Sequence, residues 1–300
     1  MLKQLDISPL VSIIIPTWNS AATLALCLQS IKKQTYKNLE VLIIDGGSTD
    51  NTLSVAESYG VKFRKLHKRS RTYQRNLGAF YAKGVLLFFL DSDEVLHPKL
   101  VEECVSKYFD GYQGMFVTTI DTGYTYLGKS RCLGNFINLE IKSSAIYIPN
   151  SALRFCTKDI FKAVKGQDED LLIGEDIIFA LKCLKSGGKI GRCKYAISHY
   201  AVEGLRNILI KKYAYGQTFE KVVEKMGEFN ESFRVTHGFG LSAHVLSFRM
   251  EYVKMGVFYL VHMFRLKAYS RYIPGFFLVK LIEQCGRVTG YIRSRMFFST

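Results

Sequence analysis

The sequence predicts an α/β fold: a mostly parallel sheet with helices on both faces, followed by a helical C-terminal segment. Three observations carry that expectation. Continuous apolar runs, too short to be helices, recur through the first 90 residues. Segments of helical period separate them. Polar or glycine-bearing turns stand directly after them. Continuous apolar strands alternating with helices imply parallel strands buried on both faces.

The elements follow in order. Val11–Ile15 is a β-branched strand stopped by Pro16. Leu24, Leu28 and Ile31 keep helical spacing, with Asn19 or Ser20 as candidate N-cap. Val41–Ile44 is a second buried strand ending at Asp45, and Gly46–Asp50 turns into a short helix. Val61–Leu66 reads as a third strand, Arg71–Lys83 as a helix closed by Gly84, and Val85–Leu90 as a fourth strand running into Asp91-Ser92-Asp93-Glu94. Beyond it, Gly114–Ile120, Ala145–Ile148 and Lys189–Ser198 read as strands and Asp176–Lys185 as a helix. After Gly204 the pattern is helical and basic.

Composition narrows the function classes. With 300 residues, 48% hydrophobic and 22% charged, the chain has ordinary globular usage, not that of a disordered or fibrous protein. Forty-one Lys+Arg against 26 Asp+Glu give +15, which suggests an anionic partner. From Leu205 onward, 15 basic residues face six acidic ones. Seven cysteines include no CxxC pair and no zinc spacing with histidine, and read as reduced thiols. The N-terminus carries an acid and prolines where a signal peptide needs an apolar core, so a cytoplasmic protein is expected. The longest apolar stretch, Met255–Phe264, would span about 15 Å as a helix, half a bilayer core.

The strand ends carry the chemistry. In a parallel sheet the ligand lies beyond the carboxyl ends of the strands. Three polar motifs stand there: Thr17-Trp18-Asn19, Asp45–Asp50 and Asp91–Glu94. In extended chain Asp91 and Asp93 point the same way. Like charges converging on one point call for a cation, and oxygen-only ligands suit Mg²⁺ or Mn²⁺ shared with phosphate oxygens. An acid-rich turn is the bland alternative. Asp45, before two glycines, can accept hydrogen bonds from a base or ribose, whereas Ser48, Thr49 and Asp50 also suit capping of the next helix. No GxGxxG fingerprint and no P-loop occurs. Arg75 is either a solvated helix residue or a bidentate partner for a diphosphate.

Together PTWN, DGGSTDNT, QRNLGAFYAKG, LLFFLDSDE and NSALRFCTKDIFKAVKGQDEDLLIGEDIIFALKCLKSGGKI…ISHY resemble a family-2 glycosyltransferase of the Rossmann-like GT-A fold, over about residues 10–200. The resemblance implies an inverting, metal-dependent hexosyltransferase using a nucleotide-diphospho-sugar, UDP-linked rather than GDP-linked. It implies that Pro16, Thr17, Asp45 and Asp50 line the nucleotide pocket, that Arg75 and Asp91 contact the nucleotide, and that Asp93, Asp91 and His199 face the metal. It makes Asp176 the general base, with Glu175 positioning. Trp18 stands where Tyr or Phe is more common. The one tryptophan excludes the QxxRW motif of processive synthases, which favours single addition.

The resemblance divides the chain into a nucleotide-sugar half (1–110), an acceptor half (111–204) and a basic helical segment (205–300). That segment has two readings: a packed subdomain, or an interfacial surface on an anionic inner membrane leaflet. A glycan or lipid-linked acceptor would suit the second. Two other functions fit the sequence less well. A sugar-1-phosphate nucleotidylyltransferase needs a glycine-rich basic loop after the first strand, which PTWNSAATL is not. A basic nucleic-acid-binding protein has no need of the acidic motifs, so no nucleic-acid partner is expected.

Overall fold

The computed structural model describes residues 8–122, 126, 151–200, 205–229 and 282. The expected strand Ala145–Ile148, and the apolar stretch Met255–Phe264, lie outside the described residues. Contacts divide the chain into two units, one of residues 1–121 with 150–201, the other of 122–149 with 202–300.

The first unit is built on β1 (Val11–Thr17), β2 (Leu39–Asp45), β3 (Lys62–Lys65) and β4 (Leu86–Phe89), interleaved with α1 (Ala21–Lys32), α2 (Thr52–Ser58) and α3 (Arg71–Tyr81). Then come β5 (Glu94–Leu96), α4 (Leu100–Phe109), β6 (Gly114–Asp121), β7 (Ser151–Thr157), α5 (Lys158–Ala163), α6 (Glu175–Lys185), β8 (Ile190–Arg192) and β9 (Ile197–His199). Sheet order is β3-β2-β1-β4-β7-β6-β9-β5, with β8 also on β6. Strands β3, β2, β1 and β4 are parallel, whereas β7 runs antiparallel between β4 and β6.

Both faces of the parallel half are buried because successive side chains point to opposite sides. Ile13, Ile15, Ile43, Leu86 and Phe88 pack with Leu24, Leu28, Leu100 and Cys104 of α1 and α4. Ile14, Leu87 and Phe89 pack on the other side with Ala79, Phe161 and Phe179 of α3, α5 and α6. This is why the strands read as unbroken apolar runs.

Several boundaries differ from the sequence reading. The strand expected over Lys189–Ser198 is two short ones, β8 and β9. Strands β5 and β7 and helices α4 and α5 were not foreseen. Pro16 does not stop β1, which continues to Thr17 opposite Asp45 of β2. Ser20 occupies the N-cap of α1 but makes no side-chain capping bond there. Asp50 accepts from the Ala21 N–H instead, at 3.1 Å, so the cap is supplied from across the sheet end. The helix expected to reach Lys83 ends at Tyr81.

The second unit contributes α7 (Leu205–Gly227), whose buried residues Ile208, Lys212, Gly216 and Val222 recur at helical spacing. No described helix is long and apolar enough to cross a membrane.

Candidate active site

The chain reverses its direction of travel across the sheet between β1 and β4, and a crevice is expected at the carboxyl ends of such a pair. Thr17, Asp45 and Asp91 stand at or just beyond the ends of β1, β2 and β4. Gln74 of α3 holds two of these ends in place. Its Nε2 donates to the carbonyls of Thr17 (2.9 Å) and Ile44 (2.6 Å).

Asp45 is fully buried. Its carboxylate accepts from the hydroxyls of Thr17 (2.9 Å) and Ser48 and from the backbone N–H groups of Gly47 (3.0 Å) and Ser48 (2.8 Å). Four donors match the acceptor capacity of a carboxylate, so Asp45 shapes the loop after β2. Asp50 is exposed and ties the starts of α1 and α2, accepting from the N–H groups of Ala21 and Thr52. Asn19 adopts a left-handed φ of 47°, a conformation Asn tolerates, and accepts from the Thr49 N–H at 2.9 Å. At the rim, the Arg69 guanidinium lies 3.4 Å from the Trp18 ring centroid. Pro16 is buried at the base of the same turn.

Beside these turns lies a buried ion-pair network. Arg75 donates to Asp91 Oδ1 at 2.6 Å, and Arg154 of β7 lies 3.3 Å from Asp91 Oδ2 and 2.6 Å from Glu94 Oε1. Glu175, at the start of α6, pairs with Arg71 and lies 3.7 Å from Arg75. Burial works to raise the Asp91 carboxyl, but Arg75 and then Arg154 outweigh it and hold it well below the ordinary carboxylate range. Burial pushes Glu94 up, against the pull of Arg154. Two buried N–H groups, Nε of Arg75 and Nε of Arg154, have no acceptor among the described residues. Each orphaned donor calls for a partner, and an acceptor oxygen of a bound anion could supply one.

Asp93 and Asp91 part company. Asp91 is clamped by arginines, whereas the Asp93 side chain is 39% exposed and lies 3.0 Å from His199 Nε2. His199 sits on β9 between β5 and β6, and its Nδ1 is 2.6 Å from Asp121 Oδ1. Burial opposes charging the ring, but Asp121 and Asp93 overcome it and raise its pKa to about 10. In this state His199 is a cation bridging two carboxylates.

Asp176 follows Glu175 on the first turn of α6 and accepts from the Ile177 N–H. A helix N-terminus alone would depress its pKa. Burial, then the Glu175 charge, prevail instead and raise it, against Arg154, Arg71 and Arg75. Those three arginines also place Asp176 at the network.

Sequence reasoning missed Arg154, Glu94 as an ion-pair partner, Arg71 and Asp121. Arg154 had a signal: a charge within the apolar run Ala152–Cys156 needs a buried partner. Asp121 also had one, as an acid at the carboxyl end of a strand.

Among the described residues no three His, Cys, Asp or Glu side chains are grouped to hold a metal by themselves. Mg²⁺ and Mn²⁺ need only one or two carboxylates when substrate phosphates complete the shell. Part-exposed Asp93, with His199 beside it, fits that demand once the ring gives up its proton.

Comparison with known proteins is consistent with this architecture. Residues 12–157 match Glycosyl transferase family 2. The chain is 26% identical over 159 residues, 51% of its length and 48% of the relative's, to Glycosyltransferase GlyG of Streptococcus pneumoniae. It spans between about a third and a half of the length of the first curated relatives it matches. Among solved structures, it is similar to the Pyrobaculum calidifontis mannosyltransferase PcManGT in complex with GDP-Man and Mn²⁺, with a TM-score of 0.60, 16% identity and 94% and 88% of the two chains covered. It is also similar to S. aureus TarS 1-349 in complex with UDP-GlcNAc, with a TM-score of 0.56, 19% identity and 94% and 89% covered. At these identities the likeness is one of fold.

Proposed function

We propose, from the premise that residues 12–157 are a family-2 glycosyltransferase domain in a GT-A-like sheet, that the chain transfers a sugar from a nucleotide-diphospho-sugar to an acceptor hydroxyl. The observation that carries this is the arginine network with unsatisfied buried N–H donors, with part-exposed Asp93 two residues from Asp91 and Asp176 within the field of the same arginines. An anionic diphosphate, a metal-ligating carboxylate and a basic carboxylate are what the reaction requires in one place.

In this reading Pro16, Thr17 and the loops shaped by Asp45 and Asp50 frame the nucleoside. Arg75, oriented by Asp91 and Glu175, faces the diphosphate. Asp93 and His199 would hold Mg²⁺ or Mn²⁺, which offsets charge on the leaving diphosphate when bound. Asp176 takes the proton of the acceptor hydroxyl while that oxygen bonds to the anomeric carbon. The bond from that carbon to the diphosphate breaks, and the nucleoside diphosphate leaves with the electron pair. Direct displacement by the acceptor inverts the anomeric centre. A UDP-linked hexose is the favoured donor, in line with the uridine nucleotide named for TarS. GDP-Man in the mannosyltransferase keeps the guanosine donor in the same test.

Residues 1–110 would serve the nucleotide-sugar, 111–204 the acceptor, and 205–300 contact with a glycan or lipid-linked acceptor at a membrane. The deciding experiment is a screen of nucleotide sugars with Mn²⁺, scoring release of UDP or GDP with and without candidate acceptors. Release of UDP from one UDP-hexose, abolished by EDTA, is expected. Release of neither nucleotide from any donor would overturn the assignment.

A further inference from the structure

Among the described residues the sheet ends at β3, which pairs with β2 and has no strand on its other side. The chain through and after β3 reads KFRKLHKRSR. Lys62, Arg64, Lys65, Lys68 and Arg69 are all exposed. Among the described residues, the one carboxylate paired with any of these five is Glu169, 3.8 Å from Lys68 Nζ. Lysine on an edge strand guards against edge-to-edge pairing, and that alone would account for Lys62 and Lys65.

It does not account for the aromatic side chains beside them. Arg64 lies 3.6 Å from the ring centroid of Tyr81, and Lys68 lies 4.6 Å from that of Tyr73, both rings on α3. With Arg69 on Trp18, cation–aromatic pairs run from the far end of α3 to the rim of the crevice. At the far end Phe80 is 75% exposed, with Tyr81 against it at a centroid distance of 5.2 Å. An inorganic polyanion, which has no base to stack, would use the cations and gain nothing from an exposed phenyl ring. A bilayer interface uses both: cations meet lipid phosphates, and aromatic rings enter the headgroup region.

We propose that the β3 edge and the adjoining end of α3 form a docking face for the anionic phospholipid headgroups of a membrane leaflet. The face is drawn from residues of the first unit alone, and its chemistry does not depend on the sugar donor. If the transferase reading above also holds, docking there brings the crevice rim at Trp18 and Arg69 to headgroup level, where the reacting group of a lipid-linked acceptor resides.

The test uses the full chain. Binding is measured by sedimentation with phosphatidylcholine vesicles containing about 30% phosphatidylglycerol, which supplies the negative surface potential that attracts basic segments, and with pure phosphatidylcholine vesicles, at low and high salt. Selective binding to the anionic vesicles at low salt is expected. Each cation near an anionic surface contributes roughly a fivefold change in partitioning, so combined Lys62→Glu, Lys65→Glu and Lys68→Glu, which remove three cations and add three anions, should weaken binding by at least about a hundredfold. Phe80→Ser should weaken it several-fold. These side chains are exposed, and an unchanged melting temperature checks that each variant is folded. Loss of vesicle binding in the triple variant but not in Phe80→Ser, with full competition by soluble polyphosphate, would replace the membrane by a polyanion. No binding to anionic vesicles, or undiminished binding by the triple variant, overturns the proposal outright.

Discussion

Asp91, Asp93 and Asp176 are three carboxylates within one site, and their surroundings assign them different work. Asp91 has an arginine on each oxygen, so it is fixed in the charged state. Asp93 is partly in solvent against His199. The pKa of Asp176 rises, by burial first and by Glu175 second. A general base gains proton affinity from such a rise, provided it is still deprotonated at working pH. The sign is testable. Because the charged form is the active one, kcat should climb with pH through the raised pKa, so its acid limb lies above the ordinary carboxylate range. Asp176→Asn, nearly isosteric, should lower kcat by roughly 10²–10⁴ and leave donor affinity and melting temperature almost unchanged. If the acid limb survives in that variant, or turnover does, Asp176 only caps α6. The pH profile separates the two roles because a capping residue would not set it.

At the scale of elements, α3 lies against β1 at one close point. A Cβ on Gly78 would stand 2.3 Å from Ile14 Cγ2. Alanine is the better helix former by about 1 kcal/mol, so propensity and packing oppose one another there. Overpacking a filled core costs about 1–3 kcal/mol, and Ile14 is itself fully buried between sheet and helix. Packing should win. Gly78→Ala should lower the denaturation midpoint with an unchanged m-value, by chemical denaturation of the purified chain. A higher midpoint would mean that α3 shifts freely on the sheet. The same helix shows what a sequence discloses. Strands β1, β2 and β4 were legible because both faces are buried, which forces unbroken apolar runs. Strand β7 was not, since its place between β4 and β6 depends on pairing across more than 60 residues of chain. For the same reason the acids at the strand ends were visible locally, whereas Arg154 as the partner of Asp91 and Glu94 was not. The turn at Asp45 was visible as a motif, but one of the four hydrogen bonds that its carboxylate accepts comes from Thr17 on another strand.

For the whole molecule, the crevice draws residues from β1, β2, the turn after β4, α3, β7 and α6, so a ligand there should be coupled to unfolding of the entire first unit. A ligand that binds only the folded state adds about 2.7 kcal/mol at a hundred times its dissociation constant. Each kcal/mol shifts the melting temperature of a unit this size by roughly 2–4 °C. UDP with Mn²⁺ at saturation should therefore raise it by roughly 5–10 °C. The formal charge of +15 complicates the readout, because a basic protein binds many anions weakly. Salt separates the cases. Contacts with exposed cations are screened beyond about 8 Å at 0.15 M, while the buried pairs of Arg75 and Arg154 are screened much less. At that ionic strength the shift should persist for the cognate diphosphate and be small for sulfate or tripolyphosphate. Asp93→Ala should remove the increment that Mn²⁺ adds and leave the apo melting temperature close to wild type, since Asp93 is partly exposed. Equal shifts with EDTA and with Mn²⁺, or equal shifts with tripolyphosphate, would mean that general positive charge, and not the Asp93 site, is what the nucleotide meets.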